Sequence, residues 1–143
     1  MAEIRRSSSA VWNGSGKEGK GTISSASGTL KDVPYSFAKR FGEEKGTNPE
    51  ELIAAAHAGC YSMALAFQLA GAGHPADKLE TKAEVTIMQE GGGWKISAVH
   101  LTLEGSVPGI AADQFQKLAE AAKAGCPVSK VLNATITLSA KLK

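Results

Sequence analysis

The spacing of apolar residues changes character several times along this chain, and each change predicts an element. Glycine-rich and proline-containing turns at Gly14, Gly16, Gly28 and Pro34 bracket two short alternating stretches, so the first third reads as β structure, with strands over Gly19–Ser25 and Tyr35–Phe41. In the second of these, YSFAKRF, alternation places Tyr35, Phe37 and Phe41 on one face and Ser36, Ala38 and Arg40 on the other, directing Arg40 away from the aromatic side.

The segment TNPEEL then carries the signals of a helix start. Asn48 can cap, Pro49 suits the first helical position, and Glu51 lies three residues after Asn48 as in a capping box. The helix is expected to run to about Ala70. Beyond its first turn it is apolar on nearly every side (Leu52, Ile53, Ala55, Ala58, Met63, Leu65, Phe67, Leu69), which predicts a central helix enclosed by sheet and by a second subunit. Its length also suits a membrane span, but His57, Ser62, Gln68, the many alanines and the acidic flank argue against that.

Alternating Ala83, Val85 and Ile87, the turn Gly91–Gly93 and the run Trp94–Glu104 predict a hairpin. Its second strand shifts apolar phase between Ala98 and Val99, which calls for a bulge or burial on both faces. Phe115, Leu118, Ala119 and Ala122 recur at helical spacing up to a stop at Gly125, and Thr135–Leu142 alternates as a last strand. Strands, helix, hairpin, helix and strand make an α+β fold rather than a βαβ series.

Composition adds limits. At 143 residues and 43% hydrophobic content the chain is expected to form one domain, 1–143, with a substantial core. The net charge of +2, spread without a basic stripe, predicts neither a nucleic-acid nor a membrane partner. The start MAEIRRSSSAVW has two arginines but no apolar stretch behind them, so no secretory signal is read and a cytoplasmic location is expected.

The candidate chemistry centres on the two cysteines, Cys60 within the apolar helix and Cys126 in AKAGCPVS. Buried thiols are often core filler, which leaves a non-catalytic dimeric binding protein as one reading. In a reducing compartment, however, a cysteine pair points to catalysis, redox sensing or metal binding. The 66-residue separation and the lack of CxxC or HxxxH spacing count against a metal, so no metal or other bound cofactor is expected. A thiol of ordinary pKa is mostly protonated at neutral pH and needs a cation to become a nucleophile. Arg40, the only arginine beyond the N-terminal tip, is the best candidate, with Lys17 a weaker one. Glu50 could orient Arg40, but ten residues of helix put it roughly 15 Å along the axis from Cys60. An interrupted helix, the reach of the arginine fork or a second subunit would have to close that gap. His57, three residues before Cys60, suggests a Cys–His hydrolase as a further alternative. Cys126, ahead of Pro127 and a short helix PVSKVL, could itself be the more acidic thiol. These features favour one attacking and one resolving thiol without deciding which is which.

The stretch RFGEEKGTNPEELIAAAHAGCYSMAL, together with PYSFAKRF and AGCPVSKVL, resembles the OsmC/Ohr family of thiol-dependent peroxidases over nearly the whole chain. The resemblance implies an intertwined homodimer in which sheets wrap long central helices, with two active sites at the subunit interface. It implies reduction of hydroperoxides, organic ones preferred, with Cys60 as attacking thiol, Cys126 as resolving thiol, and Arg40 and Glu50 completing the catalytic set. It also implies an external dithiol reductant of lipoyl type. Arg40 matches the arginine of the OsmC branch; in the Ohr branch the arginine comes from the early turn, where this chain has Lys17.

Overall fold

A computed structural model of the protein describes residues 2–143. The chain forms two compact units, the first ending at Leu52 and the second spanning Ile53–Lys143. The first is built on an antiparallel sheet of β1 (Ser8–Asn13), β2 (Lys20–Ser25) and β3 (Val33–Tyr35), in that order. Gly21 of β2 sits opposite both Trp12 and Tyr35. With no side chain there, the Trp12 and Tyr35 rings approach to 5.2 Å between centroids, and a Cβ on Gly21 would lie 2.5 Å from each of them.

The expected strand over Tyr35–Phe41 stops at Tyr35, and Phe37–Phe41 is instead a short helix, α1. Ser36 caps it by accepting a hydrogen bond from the Lys39 N–H, and residues 37 and 41 then share a face, with their rings 5.0 Å apart. Local capping and an i,i+4 aromatic pair therefore prevail over an alternation that suits either element. The change also reverses the expected direction of Arg40, whose guanidinium lies 5.0 Å from the Phe41 ring centroid.

Helix α2 runs unbroken from Pro49 to Gly71, so the possibility of an interrupted helix does not arise. Asn48 starts it as anticipated: its Oδ1 accepts from the Glu51 N–H at 2.8 Å while its Nδ2 donates to the Lys39 carbonyl. By length and mean hydropathy (1.4) α2 could cross a membrane, and only 22% of that apolar window is buried within the chain. The buried positions His57, Tyr61, Leu65 and Leu69 form a stripe at four-residue spacing, while Met63 and Phe67 are exposed by 63% and 73%.

In the second unit β4 (Lys78–Glu90) and β5 (Gly93–Ser106) form the predicted hairpin. Thr86 pairs with Ala98 but Ile87 with Ile96, a bulge within two residues of the phase shift visible in the sequence. Helix α3 (Ala112–Gly125), the five-residue α4 (Pro127–Val131) and strand β6 (Thr135–Leu142) follow. Strand β6 pairs parallel to β5, so α3 and α4 form one βαβ-type crossover inside the α+β fold. The core joins Tyr61, Leu65 and Leu69 of α2, Val99, Leu101 and Leu103 of β5, and Phe115, Ala119 and Ala122 of α3, with Cys126 among them.

Leu65→Ala is expected to destabilise the protein by about 2–5 kcal/mol, because the fully buried stripe cannot collapse into the space left behind. Asn48→Ala removes a cap at a partly buried helix start and should cost about 1 kcal/mol. Denaturant titrations with unchanged m-values would check both; a loss below about 1 kcal/mol for Leu65→Ala would contradict the packing described.

Candidate active site

Cys60 lies on α2, one residue before the buried Tyr61 and three after the buried His57, and is itself partly buried. Cys126 is the junction between α3 and α4. Its N–H donates to the Ala122 carbonyl at 2.9 Å and its own carbonyl accepts from the Lys130 N–H at 3.1 Å, so two helix ends hold its backbone. Pro127 begins α4 as the sequence suggested. Packing of α2 and α3 within one core brings the two free thiols together, with Sγ atoms 2.7 Å apart in a shared hydrogen bond across 66 residues of chain.

The surroundings of the two sulfurs differ. Burial raises the Cys60 thiol above its ordinary value and the hydrogen bond with Cys126 adds to this, opposed by the Val128 N–H. Burial also works against ionisation of Cys126, but hydrogen bonds from Cys60, from the backbone and hydroxyl of Ser129 and from the Val128 N–H outweigh it and lower that thiol. Of the two, Cys126 is the thiol whose ionisation its surroundings favour, as the donors at the start of PVSKVL suggested.

The hydroxyl of Ser129 also lies 2.7 Å from His57 Nε2. His57 is fully buried, and its Nδ1 is the one buried side-chain polar atom among the described residues that has no hydrogen-bond partner. Burial keeps the ring below the usual histidine pKa, and therefore neutral at physiological pH. Neither nitrogen is hydrogen-bonded to Cys60, so the Cys–His pair required by a hydrolase does not form. Ser129 was not singled out from the sequence; its signal is the spacing in CPVS, where a serine three residues after a helix cap can turn back toward it.

In the first unit, Arg40 and Glu50 form a two-pronged pair, Nε to Oε1 and Nη2 to Oε2, both 2.9 Å. Glu50 is 7% exposed, and its hydrogen bonds raise the Arg40 pKa further above the arginine value. Such a fork fixes the guanidinium plane, and the Phe41 ring supports it from one side. Arg40 also lines a cavity of about 410 Å³ walled by Trp12, Tyr35, Phe37 and Phe41, with Lys17 at 6.0 Å from the Phe37 ring centroid. The aromatic wall was not anticipated, since a strand would have sent Arg40 to the opposite face. Among the described residues no group of three or more His, Cys, Asp or Glu side chains gathers as a metal site.

Residues 42–141 match the OsmC family, described as OsmC-like protein. Over 140 residues the chain is 49% identical to peroxiredoxin OsmC of Escherichia coli strain K12, covering 98% of each. It is 32% identical over 126 residues to organic hydroperoxide resistance protein OhrB of Bacillus subtilis strain 168, covering 86% of this chain and 89% of the relative. The crystal structure of an organic hydroperoxide resistance protein from Elizabethkingia anophelis superposes with a TM-score of 0.74 at 26% identity, covering 100% of both chains. Sequence likeness along almost the full length and the shared α+β fold lead to one assignment: the chain belongs to the OsmC/Ohr family of thiol-dependent peroxidases.

Proposed function

We propose that this protein reduces hydroperoxides, organic ones preferred, by a two-cysteine mechanism in which Cys60 attacks and Cys126 resolves. The observation that carries the reading is the 2.7 Å approach of two free thiols from distant parts of the chain, a separation from which a disulfide closes with little movement. The Cys60 thiolate attacks one oxygen of the O–O bond; the other leaves as alkoxide and is protonated to an alcohol, and Cys60 becomes a sulfenic acid. Cys126 displaces hydroxide from it to give the disulfide and water. An external dithiol, of lipoyl type, returns both thiols to the reduced state.

Burial, Cys126 and the Val128 N–H are the influences on Cys60, and none is a cation. Drawing negative charge onto Cys60 is therefore assigned to Arg40, which would also stabilise the departing alkoxide, with Glu50 holding its plane. The aromatic cavity beside Arg40 suits an apolar substituent on the peroxide, in keeping with organic substrates. The outward face of α2, with Met63 and Phe67 uncovered, supports a homodimer built on that helix, and a second subunit is one way for the catalytic set to be completed. We place this single-domain enzyme, 1–143, in the cytoplasm, acting in defence against oxidative and osmotic stress.

Mass spectrometry after one equivalent of cumene hydroperoxide should find an intramolecular Cys60–Cys126 disulfide. Cys60→Ser should abolish turnover, and Cys126→Ser should accumulate sulfenic and then sulfinic acid on Cys60; full turnover by Cys60→Ser would end the proposal. Arg40→Lys keeps the charge but loses the fork, so the second-order rate with peroxide should fall at least tenfold, with Glu50→Gln intermediate, as stopped-flow measurement would register. Phe67→Glu should shift the protein from dimer to monomer in sedimentation, and an unchanged dimer would move the interface elsewhere.

A further inference from the structure

Lys17 is a candidate cation in the sequence, yet the two-cysteine scheme gives it no task. Its place is set by the turn between β1 and β2. The Glu18 N–H donates to the Ser15 hydroxyl at 3.1 Å, the Gly19 N–H donates to the Ser15 carbonyl at 2.8 Å, and the Trp12 indole N–H donates to that same carbonyl at 3.2 Å. Trp12 therefore walls the cavity of about 410 Å³ and also ties down the turn that brings Lys17 to its edge. The backbone is held there while the side chain reaches solvent.

The charge around this cavity is one-sided. Among the described residues no carboxylate lines it. Arg40 is already answered, because Glu50 meets its guanidinium on two prongs at 2.9 Å. Lys17 differs: its ammonium lies 6.0 Å from the Phe37 ring centroid, and among the described residues no carboxylate forms an ion pair with it. Glu18, Lys20 and Lys39 line an adjoining cavity rather than this one, and Lys39 is paired with Glu44 at 3.2 Å. One cation at the edge of an aromatic cavity is thus left without an anion.

Its position along the cavity adds a direction. Lys17 stands at the Phe37 ring and Arg40 at the Phe41 ring, and the two rings lie 5.0 Å apart, an i,i+4 step of about 6 Å along α1. A molecule with its O–O bond at the guanidinium and its apolar body along the ring pair would present its far end to Lys17.

We propose that Lys17 is a specificity-determining residue that makes acidic organic hydroperoxides, apolar bodies carrying a carboxylate at the end away from the O–O bond, the favoured substrates of this cavity. The inference rests on the peroxidase reading and deepens it by naming a substrate class. An ammonium in open water gains little from a carboxylate, but an apolar wall that displaces water on one side strengthens the attraction. The carboxylate keeps its charge throughout the reaction, so Lys17 binds ground state and transition state alike and its contribution falls on KM rather than on kcat.

The test compares cumene hydroperoxide with its 4-carboxy derivative, at pH 7 and low salt, using the full chain and a dithiol reductant. The two probes differ by one carboxylate on the far side of the ring from the peroxide. The ratio of their kcat/KM values, acid over neutral, cancels any change in folding or in the reacting groups common to both. That ratio should be about five in the wild type and in Lys17→Arg, near one in Lys17→Met and below one in Lys17→Glu, with the differences carried by KM. Raising the salt to about 0.5 M, where charges are screened within about 4 Å, should bring the wild-type ratio toward that of Lys17→Met. A ratio that Lys17→Met and Lys17→Glu leave unchanged, or one indifferent to salt, would overturn the specificity role. Lack of any cumene hydroperoxide turnover by the wild-type protein would instead overturn the peroxidase reading beneath it.

Discussion

Burial of one stripe of α2 is the constraint on which the thiol pair depends. Tyr61, Leu65 and Leu69 share a core with Val99, Leu101 and Leu103 of β5 and with Phe115, Ala119 and Ala122 of α3. Once those side chains are excluded from water, Cys60 is held next to the C-terminal end of α3, where Cys126 is secured by backbone hydrogen bonds on both sides. The meeting of two sulfurs is thus an outcome of hydrophobic packing rather than of attraction between thiols, which is weak. The same packing removes Cys126 from solvent, so its ionisation depends on the few donors within reach.

That dependence separates the two cysteines chemically. For Cys126 the hydrogen bonds outweigh burial, whereas for Cys60 burial and the neighbouring Cys126 outweigh the Val128 N–H. Within the second unit alone, charge belongs on the thiol proposed to act second. A scheme in which Cys60 acts first requires a positive group to redistribute that charge, and in the first unit Arg40 is already held as a planar fork by Glu50. Rigid donors are worth more than mobile ones at a developing charge because they need no reorganisation during reaction.

The expectations that held share a common feature. Asn48 as a cap, Pro127 opening α4, Gly125 ending α3 and the bulge in the hairpin all depend on interactions within a few residues, which local sequence encodes. The strand expected over Tyr35–Phe41 failed where two local rules competed: alternation of large side chains is compatible with a sheet, but a serine cap and an i,i+4 aromatic pair close a helical turn. The parallel pairing of β6 with β5 was also missed, since strand direction depends on where a connection packs.

Motifs along the chain were enough to place it in its family, and they named Cys60, Cys126, Arg40 and Glu50 as candidates; of these, the two thiols meet and Arg40 pairs with Glu50. That His57 Nε2 meets Ser129 and that Cys60 meets Cys126 depended on residues 72 and 66 positions apart coming within 2.7 Å. Contacts at that range are set by the balance of buried area and chain entropy over the whole core, and a pattern read a few residues at a time does not contain it.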